Sequence, residues 1–159
     1  MPLLNASALP RMHTVRQEFP QSDPLEIPAA VAEQISMVQG RLTPGKRVAL
    51  TVGSRGIANI KEIVLAVLGE LKAAGVEPFI VPAMGSHGGA TPEGQKRILS
   101  DYGITEETMG VPIEAAMETR EVGRTPDGVS AFTSSVALSA DGIVVLNRVK
   151  PHTDYFSHT

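Results

Sequence analysis

Apolar positions along this chain fall into two patterns, compact runs and helical stripes. Val48–Val52, Phe79–Met84 and Gly142–Val149 are apolar-rich runs of strand length, the pattern of strands buried on both faces of a parallel sheet. Between the first two, Ile60, Val64, Val67, Leu68 and Leu71 recur every third or fourth residue and predict an amphipathic helix. Asn59 with Glu62 offers a capping box at its start, and Gly75 offers a stop. Strand, helix and strand in that order make a βαβ unit. Ile27, Val31, Ile35 and Val38 predict an earlier helix of about three turns, with Pro28 in its first turn and Gly40 at its end. Thr91 as N-cap, Pro92 and Glu93 predict a helix running to Tyr102 and stopped by Gly103, and Thr105 opens a second, shorter one. Beyond Val111 the period changes. Pro112–Met117 reads as a strand, Thr125-Pro126-Asp127-Gly128 as a turn, and the Ser/Thr-rich stretch Val129–Leu138 as β-prone. The predicted fold is α/β: a mainly parallel, Rossmann-like sheet with helices on both faces and a β-hairpin or sheet extension near 112–138. Residues 1–23 read as an extended arm, and 1–159 as a single domain.

Each apolar run leads into a short polar turn that carries reactive side chains. These turns are Gly53-Ser54-Arg55-Gly56, Gly85-Ser86-His87-Gly88-Gly89 and Lys150-Pro151-His152. In an open α/β sheet, ligands bind outside the carboxyl ends of the strands, so the three turns are expected to line one crevice. Free backbone N–H groups, the Ser54 hydroxyl and the Arg55 guanidinium suit a phosphate or carboxylate. Around His87, Gly88 and Gly89 leave room for backbone to approach a ligand. Pro151 restricts the backbone that presents His152, and Asp154 stands near enough in sequence to orient it.

Composition narrows the chemistry. The chain has no cysteine, hence no thiolate nucleophile, disulfide or thiolate-held metal. A net charge of −3, with no run of more than two adjacent basic residues, lacks the electrostatic footprint of a nucleic-acid binder. No apolar run approaches membrane-spanning length, and the N-terminus lacks a basic segment ahead of an apolar one, so a cytoplasmic location is expected. Two imidazoles from different strand ends suit a pair of acid/base groups facing each other across a substrate, as inversion of a stereocentre requires. A His-based metal site is the other chemical reading, one ligand short of a typical catalytic zinc set. No metal ligand is assigned.

Gly53-Ser54-Arg55, the stretch Gly85-Ser86-His87-Gly88-Gly89-Ala90-Thr91-Pro92-Glu93-Gly94-Gln95, and Lys150-Pro151-His152 together resemble the N-terminal domain of the nickel-dependent lactate racemase family, across nearly the whole chain. The resemblance implies an isomerase acting on a small 2-hydroxy acid. It implies a nickel-pincer nucleotide, of the nickel pyridinium-3,5-bisthiocarboxylic acid mononucleotide type, enclosed between this domain and a C-terminal domain. Racemisation there runs through hydride transfer and a 2-oxo acid, with one imidazole on each face moving the hydroxyl proton. His87 and His152 align with those two residues, and Ser54, Arg55, Gly88 and Gly89 fall where the cofactor is bound. Lactate racemase itself carries an Asp and a Thr-Arg-Pro in the first turn, and an Arg where this chain has Gly88. The cofactor-tethering Lys and the nickel-ligating His lie downstream of the Pro-His pair, so the chain to Thr159 is expected to be a fragment, inactive without the C-terminal domain. Two rival readings are a non-catalytic nucleotide- or anion-binding module and a metal-dependent hydrolase using the same His pair.

Overall fold

The computed structural model describes residues 13–19, 23–54 and 56–148. Its elements are α1 (Ile27–Ser36), β1 (Arg47–Val52), α2 (Ile60–Ala73), β2 (Glu77–Pro82), α3 (Pro92–Asp101), α4 (Glu106–Met109), β3 (Thr119–Arg124), β4 (Ser130–Ser134) and β5 (Gly142–Leu146), in that order. The fold is mixed α/β. β1 lies between β2 and β5 and pairs with both in parallel, Val52 standing opposite Pro82 on one side and Leu146 on the other. All three strands therefore finish at one edge.

Strand pleating divides the sheet into two faces. Val48, Leu50 and Val52 of β1 point into the main core with Ile80, where they meet Val64, Leu68 and Leu71 of α2, Leu99 of α3 and Met109 of α4. Ala49, Phe79 and Val81 point the other way and pack against Ala137, so among the described residues the helical cover of this second face is the short 3-10 turn Ala137–Ser139. On that face Arg47 lies 4.1 Å over the Phe79 ring and pairs with Glu114. Ile143 and Val145 of β5 share it and are exposed.

The segment from Pro112 gives a single parallel bridge, Ile113 to Ile80, held by two backbone bonds of 2.9 Å. Its next side chain, Glu114, is engaged by Arg47. The hairpin lies further on: β3 and β4 pair antiparallel around the 125–128 turn, with an irregularity between Glu121 and Gly123. β3 is exposed along its whole length, which is why no apolar alternation marks it in the sequence.

Two expected helix ends differ. Asn59 makes no capping bond, because it sits in left-handed backbone (φ 55, ψ 25) and not in the extended conformation that an N-cap side chain needs. α1 stops at Ser36, short of Gly40, because Val38 leaves helical geometry and a separate 3-10 turn, Gln39–Arg41, follows. Thr91 does cap α3, accepting from the Gly94 N–H, with Pro92 at the first helical position. Thr105 and Thr108 form a reciprocal capping box on α4. Among the described residues no helix is long and apolar enough to cross a membrane.

Candidate functional site

Parallel β1 is followed in the chain by β2 on one side, while β5 lies on its other side, so strand order switches at β1 and a crevice is expected outside its carboxyl end. The turn after β1 is contacted from both neighbours. From the β2 side, His87 Nδ1 lies 2.5 Å from Ser54 Oγ. From the β5 side, the Arg148 guanidinium donates to the Gly56 carbonyl. Residues that follow three different strands are thus gathered at one edge of the sheet.

The loop that carries His87 is built by the start of α3. Buried Gln95 donates from Nε2 to the Gly85 carbonyl at 2.7 Å, and Thr91 donates from Oγ1 to the Gly88 carbonyl at 3.1 Å. Gly88 and Gly94 touch backbone to backbone: a Cβ on Gly94 would fall 1.8 Å from the Gly88 oxygen, and one on Gly88 would fall 2.4 Å from the Gly94 carbonyl carbon. Gly88 also has φ +68. Its lack of a side chain therefore serves the packing of the loop on α3. Gly85 and Gly89 have open space where a Cβ would stand, which leaves their backbone approachable.

Ser54, His87 and Gly88 line a cleft of about 350 Å³ with Ile98, Asp101 and Tyr102 of α3 and its end. These last three have no signal in the sequence beyond helical spacing. A larger hollow, about 590 Å³, runs beside β5 from its start, where Lys46 and Asp141 pair at 3.1 Å. None of its lining residues follows the carboxyl end of β1, β2 or β5, as Ser54 and His87 of the smaller cleft do, and the crevice rule favours the smaller cleft. Among the described residues no three His, Asp or Glu side chains gather as a metal site. Arg55 and His152, together with Lys150 and Pro151, lie outside the described residues. Arg148 puts a cation at the turn after β1, and the sequence marks it only as an Arg two positions beyond the last residue of β5.

A model of the lactate racemase N-terminal domain family matches residues 16–156. The chain belongs to that family. Each of the three turns of the lactate racemase N-terminal domain lies inside the matched stretch. No curated protein and no solved structure matches the chain significantly.

Proposed function

We propose that this lactate racemase N-terminal domain forms one wall of the active site of a nickel-dependent 2-hydroxy acid racemase or epimerase. The observation that carries the reading is the convergence of the turn after β1 with His87 from one neighbouring strand and Arg148 from the other. The residues present fit an anionic nucleotide. Arg148 supplies a guanidinium at the Gly56 carbonyl, and Gly85 and Gly89 leave open backbone nearby in sequence to His87. Arg55 and the backbone N–H groups of its turn would hold the phosphate of a nickel-pincer mononucleotide. When bound, that group supplies an acceptor for the hydride on the substrate's Cα.

The chain's own part is proton movement. Oxidation of a 2-hydroxy acid to the 2-oxo acid releases the hydroxyl proton, and an imidazole is the side chain able to take and return it near neutral pH. In this reading His87 serves one enantiomer and His152 the other: one imidazole accepts the hydroxyl proton as its enantiomer is oxidised, and the opposed one gives a proton to the oxygen when the carbonyl is reduced to the mirror-image product. Cations at the turn after β1 balance the negative charge that the nucleotide and the substrate carboxylate bring together.

The test is interconversion of enantiomers by the cofactor-loaded protein carrying this domain, followed by chiral chromatography on a panel of 2-hydroxy acids. The reading predicts that at least one acid racemises or epimerises from either enantiomer. Binding of the nucleotide with no interconversion across the panel would support the anion-binding module instead.

A further inference from the structure

We propose that Ser54 is a positioning residue for His87, setting which ring nitrogen carries the hydrogen. This assignment rests on the reading of His87 as an acid/base group, and it adds a role for a residue first expected to hold the cofactor. Ser54 is buried, 7% exposed, in the turn after β1, and its Oγ stands 2.5 Å from His87 Nδ1 across the gap between two strand ends. Both partners are held by backbone. Ser54 follows a strand paired on both sides, and the His87 loop is tied to α3 through Gln95, Thr91 and the Gly88–Gly94 contact.

The chemistry gives the pair a direction. A histidine that exchanges a proton through Nε2 alternates between neutral imidazole with hydrogen on Nδ1 and imidazolium with hydrogen on both nitrogens. Nδ1 keeps its hydrogen throughout such a cycle, so a partner at Nδ1 has to accept, and a serine oxygen does. A serine hydroxyl can donate or accept, and in the accepting role proposed here Ser54 Oγ holds the tautomer whose Nε2 lone pair acts as base. Unlike a carboxylate in the same place, a hydroxyl adds no charge that would hold the ring as imidazolium. That suits a group that has to release its proton as readily as it takes one.

The test reads ring nitrogens directly and needs no cofactor. The chain is labelled with ¹⁵N-histidine, and long-range ¹H–¹⁵N spectra are recorded where imidazoles are neutral. The His87 signals are identified among those of the four histidines by their loss in His87→Gln. The His87 signals are expected to show hydrogen on Nδ1 in the wild type, to move toward the Nε2-protonated tautomer favoured by histidine in water in Ser54→Ala, and to return in Ser54→Thr. A wild-type ring protonated on Nε2, or a pattern unchanged in Ser54→Ala, overturns the assignment. Because the readout is independent of turnover, an Nδ1-protonated ring in a protein that racemises nothing would overturn the proposed function and leave the Ser54 contact standing.

Discussion

At the scale of single residues, the loop that presents His87 rests on a few contacts whose removal has a definite sign. Gly94 lies inside α3, where alanine ordinarily stabilises a helix by about 1 kcal/mol over glycine. Here the added Cβ would fall 1.8 Å from the Gly88 carbonyl oxygen, a backbone atom, so loop or helix has to shift. Gly94→Ala is therefore expected to destabilise by about 1–3 kcal/mol, the scale of overpacking, as a lowered urea midpoint. Gln95→Leu keeps most of the buried volume but removes the donor to the Gly85 carbonyl. Its expected cost is about 1–3 kcal/mol, the penalty of an acceptor left without a partner. An unchanged midpoint in either variant would mean that the loop is not held by the start of α3. The sequence marks these residues as a Gly-rich motif around a histidine. It does not separate glycines required by backbone contact, Gly88 and Gly94, from those with open space beside them, Gly85 and Gly89, because that distinction depends on where α3 lands.

At the scale of elements, β1 and α2 were legible because their burial is periodic. Val48, Leu50 and Val52 meet the stripe Val64, Leu68 and Leu71 in one core, as the spacing predicts. Leu68 is 1% exposed, so Leu68→Ala is expected to cost about 2–5 kcal/mol through lost burial and the cavity left behind. β3 was not legible, because its side chains are exposed and carry no alternation. The bond that aligns the start of β5 with β1 is also silent in the sequence. Asp141 accepts from the Arg47 backbone N–H at 2.9 Å and from Lys46 Nζ at 3.1 Å, and these contacts, the backbone bond first, hold its carboxyl below the usual carboxylate range. A lowered pKa in the fold means that the ionised form favours folding. The contribution is fully present above the ordinary carboxylate pKa and is lost as pH falls through the lowered one. Asp141→Asn is thus expected to lower the urea midpoint slightly at neutral pH, with the gap to wild type closing on acidification through that range. A gap that stays constant with pH would show that charge is not what Asp141 contributes.

At the scale of the whole molecule, three parallel strands that end in register bring residues distant in sequence to one edge. Two hydrogen bonds mark that meeting, Ser54 with His87 and Arg148 to the Gly56 carbonyl. That gathering follows from topology: buried runs alternating with a helical stripe imply a parallel sheet, and a parallel sheet places its following turns together. Arg148 was missed because the apolar run continues to Val149, whereas the strand itself stops at Leu146 and releases the next residues toward the turn after β1. The proposed function requires that His87 and His152 both act on one substrate. Its most direct test is the rate of enantiomer interconversion by the cofactor-loaded protein carrying His87→Ala or His152→Ala, with cofactor content and folding checked in each. Each substitution is expected to lower kcat by about 10²–10⁴-fold, the usual contribution of a positioned acid/base group. Turnover within a few-fold of wild type in either variant would contradict the claim.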